Sequence, residues 1–141
     1  MKNKKVLVTG GCGFIGSHIV DRLIKDGAKV KVIDDLSTGS LENLNKSAEF
    51  HKCDIKNMAS LAEHFKGIDY VFHTAALARI QPSIKDPKTT FDANATGTLN
   101  VLVAARDAGV KRVIYSASSS VYGEQPSLPL RENMVVHPKN I

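Results

Sequence analysis

Residues 6 to 16 read Val-Leu-Val-Thr-Gly-Gly-Cys-Gly-Phe-Ile-Gly, and this stretch decides the fold. Its apolar start predicts a buried strand, its glycines predict a tight turn, and its end opens a helix. Gly10, Gly13 and Gly16 are spaced three apart. Gly11 offers an alternative match, since with Gly13 and Gly16 it satisfies the dinucleotide-binding pattern G-x-G-x-x-G. Glycines there permit the turn, close approach of a pyrophosphate, and close packing of helix on strand.

The residues after the glycines favour nucleotide binding over a purely structural turn. Gly27 is placed to end the helix, and a second predicted strand, residues 29–33, runs into Asp34. An acidic residue about 20 positions beyond the glycines is where a ribose 2′-hydroxyl is held. A loop-capping role is the alternative for this aspartate. The apolar positions predicted to share one face of the helix are Phe14, Ile15, Ile19, Val20, Leu23 and Ile24.

Composition indicates one ordinary globular domain. The chain has 141 residues and a net charge of +5, with its lysines scattered rather than gathered into a nucleic-acid patch. It has no apolar run long enough for a membrane helix and no signal-peptide pattern. Cys12 and Cys53 are read as free thiols, which fits a reducing cytoplasm, and the five histidines form no metal-ligand cluster in the sequence.

Strands and helices alternate along the chain, which predicts an α/β fold with a doubly wound parallel sheet. Residues 79–85 are expected to be a polar loop, and residues 124–141 a Pro-rich irregular segment. Asp86-Pro87 is a good start for a helix that runs to about Ala108. Its apolar residues Phe91, Ala95, Leu99 and Leu102 share one face. The remaining elements are a short helix over 58–65 and strands at about Glu49 to Cys53, Tyr70 to His73 and Val110 to Ser116.

Small or polar residues follow every predicted strand. The carboxyl ends of parallel strands meet at one edge of the sheet, which is where such folds bind ligands. The agreement among strand ends is more informative than any one of them. These positions are Gly10 to Gly16, Asp34-Asp35, Asp54-Ile55, Ala75-Ala76 and Ser116 to Ser120.

Together these residues resemble the extended short-chain dehydrogenase/reductase family, in its NAD-dependent epimerase/dehydratase branch, and within it the nucleotide-sugar 4-epimerases. The resemblance implies a Rossmann-type sheet with strand order 3-2-1-4-5, NAD as cofactor, and a nucleotide sugar, a UDP-sugar above all, as substrate. The matching motifs are T-G-G-C-G-F-I-G at 9–16, I-D-D-L-S-T-G at 33–39, C-D-I at 53–55, H-T-A-A at 73–76, N-A-T-G-T at 94–98 and S-S-S-V-Y-G at 118–123.

The resemblance also assigns roles to residues. Ser118 corresponds to the family's catalytic Ser/Thr and would hydrogen-bond the reacting sugar oxygen, with Ser120 near the sugar. Asp34 would hold the adenosine ribose and repel a 2′-phosphate, which favours NAD over NADP. Asn94 would line the nicotinamide side. The implied cofactor-binding residues are Gly10, Gly13, Phe14, Ile15, Asp34, Asp35, Thr38, Gly39, Asp54, Ile55, Ala75, Ala76, Asn94 and Ser116.

Structural interpretations compete with several of these roles. His73 is better explained as a packed histidine than as a base. Asn94 is open to a bracing role in its helix, and the serines at 118–120 to a turn. Tyr122 is tempting as a catalytic phenol, but the family pattern makes it structural.

The family's catalytic base is a Tyr with a Lys four residues later, and no Tyr in this sequence lies four before a Lys. We therefore expect residues 1–141 to be the truncated NAD-binding domain of a longer enzyme, without its last strands and its sugar-nucleotide domain. Such a chain would bind NAD without turning over substrate. Family members dimerise through the long helix and the helix with the Tyr. A homodimer is thus implied, but only the first of these helices is present, so the oligomeric state stays open.

The residues after Ser118 discriminate between reactions of the family. Sugar dehydratases of this kind carry a carboxylate there, whereas this chain has Ser119 and Ser120. Elimination of water lacks its acid and base without that carboxylate, which favours epimerisation through a 4-keto sugar. A decarboxylase or reductase of the same family stays open. So does a non-catalytic NAD-binding module.

Overall fold

Five parallel strands form a single sheet in the computed structural model, which describes residues 1–139. Their order is β3-β2-β1-β4-β5, which confirms the expected doubly wound, Rossmann-type α/β architecture. The third and fifth strands are shorter than predicted. The strands are β1 (Lys5–Thr9), β2 (Lys29–Asp34), β3 (Glu49–Lys52), β4 (Tyr70–His73) and β5 (Arg112–Tyr115).

Helices and short helical turns connect the strands. The helices are α1 (Phe14–Lys25), α2 (Met58–Leu61), α3 (Ile80–Lys85), α4 (Pro87–Phe91) and α5 (Gly97–Asp107). Short 3₁₀-helices lie at Leu41–Asn43, Ala62–Phe65 and Ser119–Tyr122. A π-helical turn, Asp92–Thr96, joins α4 to α5. We call the continuous run over residues 87–107 the long helix.

Two apolar layers, one on each face of the sheet, form the core. Successive side chains of a strand point to opposite faces, so Val6 and Val8 pack toward α1 while Leu7 packs toward α2 and α5. The layer under α1 contains Val6, Val8, Cys12, Val20, Leu23, Val30 and Val32. The opposite layer includes Leu7, Ile33, Leu61, Phe65, Val71 and Val101.

The first turn of α1 departs from the predicted buried face. Val20 and Leu23 are buried as expected, but Phe14 is 80% exposed and Ile15 61% exposed. The helix begins just past the end of β1, so its first turn projects beyond the sheet and has no strand to cover it. The two side chains instead line a cavity described below.

The prediction of a polar loop over residues 79–85 is wrong, because Ile80–Lys85 forms a helix. Pro82 favoured a loop in the sequence, because proline interrupts helix interiors. It occupies the third helical position, where a backbone N–H has no partner within the helix and proline is tolerated. The Ser83 hydroxyl donates to the Ile80 carbonyl at 2.6 Å and so satisfies one backbone oxygen of this short helix.

The long helix begins as predicted, since Asp86 accepts a hydrogen bond from the Thr89 N–H at 3.1 Å and Pro87 follows at the first position. Its predicted apolar stripe does share one side, but that side faces solvent. Val101, Ala104 and Ala105 are the side chains that it buries against the sheet. The exposed stripe consists of Phe91, Ala95, Leu99 and Leu102.

The segment after residue 123 is irregular, as expected, up to residue 139; residues 140 and 141 of the predicted segment lie outside the described part. Gly123 has a φ of +59°, and a side chain there would meet the His137 carbonyl. Gln125 donates to the carbonyls of Tyr122 and Val135. No helix in residues 1–139 is long and apolar enough to cross a membrane.

Candidate functional site

A cavity of about 500 Å³ opens at the carboxyl ends of the strands. It extends from the loop after β3, past the ends of β2 and β1, to the loop after β4. The structure thus brings most of the predicted cofactor residues into one space. Those that line it are Gly10, Gly13, Phe14, Ile15, Asp34, Asp35, Thr38, Asp54, Ile55, Ala75 and Ala76.

The glycine loop between β1 and α1 forms the middle of the cavity. Gly10 has a φ of +71°, and a Cβ there would lie 2.7 Å from the backbone of Ala75. At Gly16 a Cβ would lie 2.1 Å from the Gly10 carbonyl oxygen. Gly11 packs on the Val32 side chain and does not line the cavity. The geometry therefore selects the set at positions 10, 13 and 16 and not the alternative that starts at Gly11.

The N-terminus of α1 has the features of an anion-binding site. Its N-cap is Gly13, which makes no side-chain capping bond, and the first turn carries no acidic residue. A Cβ at Gly13 would be in tight contact with the Gly10 carbonyl oxygen, at 3.3 Å, and Gly13 itself lines the cavity. Helix N-termini present backbone N–H groups and the positive end of the helix dipole, which together suit a phosphate.

Asp34 ties the end of β2 to the glycine loop. Its carboxylate accepts the Cys12 N–H at 2.9 Å with Oδ2 and the Leu36 N–H at 2.8 Å with Oδ1. The side chain is almost fully buried yet lines the cavity. The loop-capping interpretation is therefore confirmed, and it does not exclude ribose binding, because each oxygen keeps a second lone pair.

A second loop supports the same glycine turn from outside the cavity. The Cys12 carbonyl accepts the Ser40 N–H at 3.1 Å and the Asn43 Nδ2 at 3.0 Å. Gly39 does not line the cavity, because it packs against Cys12, where a Cβ would come within 2.9 Å of the backbone. Burial, with the charge of Asp34 second, raises the pKa of the Cys12 thiol to about 11. That thiol is a packed apolar group rather than a nucleophile.

The wall after β3 combines an acidic and a basic residue. Asp54 accepts the Lys56 N–H at 2.9 Å, and the Lys56 Nζ lies 3.4 Å from the other carboxylate oxygen. Cys53 lines the cavity beside them, and burial raises the pKa of its thiol. Asp54 and Ile55 were predicted cavity residues, whereas Cys53 and Lys56 were not, although both are direct neighbours of that pair.

The wall after β4 is held by an asparagine. Asn94 accepts the Leu77 N–H with Oδ1 at 2.8 Å and donates through Nδ2 to the Leu77 carbonyl at 3.0 Å. Leu77 lines the cavity, whereas Asn94 does not. The bracing interpretation therefore describes the observed contacts, although the brace holds a loop rather than the helix. The other cavity residues without a predicted role are Gly16, Ile33, Ser37, Thr74, Thr89 and Ala93.

His73 is a packed histidine, as predicted. It is 1% exposed, with Nδ1 at 2.6 Å from the Thr9 hydroxyl and Nε2 at 2.9 Å from the Thr98 hydroxyl. Burial lowers the pKa of its ring to about 4. The neutral ring links β1, β4 and α5 beneath the cavity.

The serines after β5 lie outside the cavity lining. The Ser116 N–H donates to the His73 carbonyl at 3.1 Å and so continues the β4–β5 pairing by one residue. The Ser118 hydroxyl accepts the Ser120 N–H at 3.1 Å and caps a short helical turn. The turn interpretation thus describes their local structure, and the roles of Ser118 and Ser120 toward a sugar stay predictions.

Comparison with known proteins identifies the family of this chain. The model of the NAD dependent epimerase/dehydratase family matches residues 6–141. The chain belongs to this family.

Proteins named as UDP-sugar 4-epimerases are among those similar to this chain. A putative UDP-glucose 4-epimerase of Methanocaldococcus jannaschii is 40% identical over 136 residues, which cover 94% of this chain and 44% of that protein. The UDP-N-acetylglucosamine 4-epimerase structure from Methanobrevibacter ruminantium, in complex with UDP-N-acetylmuramic acid, has a TM-score of 0.91 at 45% identity, over 99% of this chain and 46% of that one.

A family structure with its cofactor is also similar. The UDP-glucose 4-epimerase of Thermus thermophilus, solved in complex with NAD, has a TM-score of 0.90 and 39% identity over 96% of this chain and 45% of its own. The chain spans less than half the length of these three family members.

Proposed function

We propose that residues 1–141 are the NAD-binding domain of a nucleotide-sugar 4-epimerase of the UDP-glucose or UDP-N-acetylglucosamine type. The observation that carries the proposal is the cavity at the carboxyl ends of the strands. It joins an uncapped helix N-terminus, a buried aspartate at the end of β2, and two loops on either side. The 4-epimerases among the similar proteins support the choice of reaction and substrate class.

The residues present fit NAD. Gly13 lines the cavity and carries no side chain, which leaves room for a pyrophosphate against the start of α1. Asp34 keeps acceptor capacity for ribose hydroxyls on the side of β2, and its charge opposes a 2′-phosphate. Beyond it, Asp54 and Ile55 line the space for the adenine. The small side chains of Ala75 and Ala76 leave room along the loop after β4, on the nicotinamide side.

NAD supplies the hydride acceptor and donor of the reaction when it is bound. The chain's own contribution is to bind and orient it against the sugar. Ser118 would hold the reacting sugar hydroxyl by a hydrogen bond. The absence of a carboxylate at Ser119 and Ser120 supports epimerisation over dehydration, because elimination needs an acid and a base there.

The proposal is tested by measuring ligand binding and turnover of the chain separately. Isothermal titration is expected to show NAD binding, with NADP bound at least tenfold more weakly because of Asp34. No turnover of UDP-glucose or UDP-N-acetylglucosamine is expected from the 141 residues, because no Tyr lies four before a Lys. Failure to bind NAD, or epimerisation by this chain alone, would contradict the proposal.

Two further parts of the proposal concern assembly and location. The exposed apolar stripe of the long helix supports a homodimer, which buries such a surface. The cytoplasm is proposed as the location, because Cys12 and Cys53 are free thiols.

A further inference from the structure

Two asparagines of the long helix reach opposite ends of the cavity. Asn94 pairs both its side-chain groups with the backbone of Leu77, in the loop after β4. Asn100 donates through Nδ2 to the carbonyls of Ile55 and Lys56, each at 3.0 Å, in the loop after β3. The three backbone partners line the cavity, whereas neither asparagine does.

The strand order separates the two loops. Because β2 and β1 lie between β3 and β4, the loops are three strand spacings apart, or about 14 Å. The glycine loop, where a pyrophosphate would sit, lies between them at the end of β1. An extended dinucleotide would therefore place its adenosine toward the loop after β3, beyond Asp34, and its other half toward the loop after β4.

The helix between the two asparagines is adapted to this position. Gly97 lies against Ile55, whose side chain would be 2.6 Å from a Cβ at that position. Asn94 belongs to the π-helical turn Asp92–Thr96, a rare geometry that is frequent at functional sites. The helix therefore contacts the cavity walls with Asn94, Gly97 and Asn100 in succession.

We propose that Asn94 and Asn100 are positioning residues, each of which fixes one wall of the cavity for one half of the cofactor. This proposal rests on the NAD binding proposed above. It adds that Asn94 acts on the cofactor indirectly, through the loop that it holds. Asn100 acts on the adenosine half through Ile55 and Lys56. Asn94 acts on the nicotinamide half through Leu77.

Loss of either asparagine leaves backbone groups without partners and releases a loop. A loop that occupies its binding conformation for only part of the time weakens the apparent affinity by that fraction. The effect should be confined to ligands that contact the released wall. AMP, which lacks the nicotinamide half, is therefore the probe that separates the two residues.

The experiment titrates NAD and AMP into the chain and three alanine variants. Asn100→Ala is expected to weaken both ligands about tenfold, the usual scale for leaving a hydrogen-bonding group unpaired. Asn94→Ala is expected to weaken NAD about tenfold and to leave AMP within about twofold. The matched control is Asn45→Ala, which removes an exposed bond to Asp21 away from the cavity and should change neither ligand. If an alanine variant fails to fold, the serine variant replaces it.

Equal weakening of NAD and AMP by Asn94→Ala would overturn the proposal, and so would wild-type binding by both variants. A second readout needs no ligand and separates this failure from that of NAD binding. In Asn94→Ala the Leu77 amide, which donates to Asn94, should exchange with deuterium at least about tenfold faster, with no change at Lys56. Unchanged exchange at Leu77 would overturn the proposal even if the chain bound no NAD.

Discussion

The Asp34 carboxylate holds the glycine loop and is proposed to face the cofactor's ribose, and a one-atom substitution changes both roles. Asp34→Asn keeps the size but presents an NH₂ group to one of the two backbone N–H donors, Cys12 or Leu36. The glycine loop then loses a bond, and the cavity loses the charge that opposes a 2′-phosphate. We expect about tenfold weaker NAD binding and a smaller preference for NAD over NADP, measured by titration calorimetry.

Asp35→Asn is the matched control for that substitution. It removes the same charge at the next residue, but its carboxylate accepts only from Ser37, at 2.9 Å from N and 2.6 Å from Oγ. The bonds to the glycine loop stay intact. Its effect on NAD should be clearly smaller than that of Asp34→Asn. Equal losses from the two variants would show that charge alone, and not the tie to the loop, determines affinity.

His73 makes the stability of the fold depend on pH. Its pKa falls from 6.5 to about 4 because the ring is buried. As the pH drops from 6.5 toward 4, the unfolded chain takes up a proton that the folded chain does not. The contribution of His73 to the free energy of unfolding is therefore complete above pH 6.5. It decreases as the pH falls below 6.5, by up to about 3 kcal/mol in total. Urea unfolding at pH 7.5, 6.0 and 5.0 measures the decrease.

His64 requires a control, because burial and the neighbouring His51 lower its pKa too. Between pH 7.5 and 5.0, the free energy of unfolding of the His64→Gln variant should fall almost as much as that of the wild-type chain. In the His73→Gln variant most of this decrease should be absent. A His73→Gln profile as steep as that of the wild-type chain would contradict the assignment to His73.

At the scale of elements, the glycine loop and α1 form one unit. Gly16 allows the helix to pack closely on the loop, whereas Gly13 lines the cavity. A methyl group at Gly16 would lie 2.1 Å from the Gly10 carbonyl oxygen. Gly16→Ala should therefore lower the free energy of unfolding by about 1–3 kcal/mol, as overpacking does. A methyl group at Gly13 would meet only the Gly10 carbonyl oxygen, at 3.3 Å, so Gly13→Ala should lower the free energy of unfolding less than Gly16→Ala does and should lose NAD affinity. Urea unfolding and NAD titration of both variants separate the two effects.

The opposite pattern would contradict this division of roles. A stable Gly16→Ala chain would mean that the helix can move away from the loop without cost. Wild-type NAD affinity in Gly13→Ala would mean that the pyrophosphate does not approach α1 at this residue.

Elements with strong apolar patterning could be predicted from the sequence. Each predicted strand is present, and the start of the long helix followed from Asp86 and Pro87. The helix Ile80–Lys85 was not predicted, because it contains Pro82, a residue that usually interrupts helices and is tolerated only in the first turn. The cavity residues Lys56 and Leu77 were not predicted for a different reason. Their backbones are placed by Asn100 and Asn94, far along the chain, and no local pattern reports such contacts.

At the scale of the whole molecule, the cavity at one edge of the sheet contrasts with an exposed apolar surface on the long helix. Its strands carry helices and loops that build one continuous cavity at their carboxyl ends. The outer side of the long helix, in contrast, exposes large apolar side chains: Phe91 is 64% exposed, Leu99 59% and Leu102 46%. Neighbouring exposed apolar residues on one helix face are typical of an interaction surface.

The proposed homodimer leads to a prediction for this face. In sedimentation equilibrium the chain should shift with concentration from its monomer mass of 15.3 kDa toward twice that value. Leu99→Glu places a charge at the centre of the stripe and should hold the chain at the monomer mass, because burial of an unpaired charge opposes association. Val135→Glu is the control: it alters a residue that is 76% exposed but lies outside the helix, so it should dimerise like the wild-type chain. A monomeric wild-type chain at every concentration, or equal dissociation in both variants, would show that copies of this chain do not associate through the stripe.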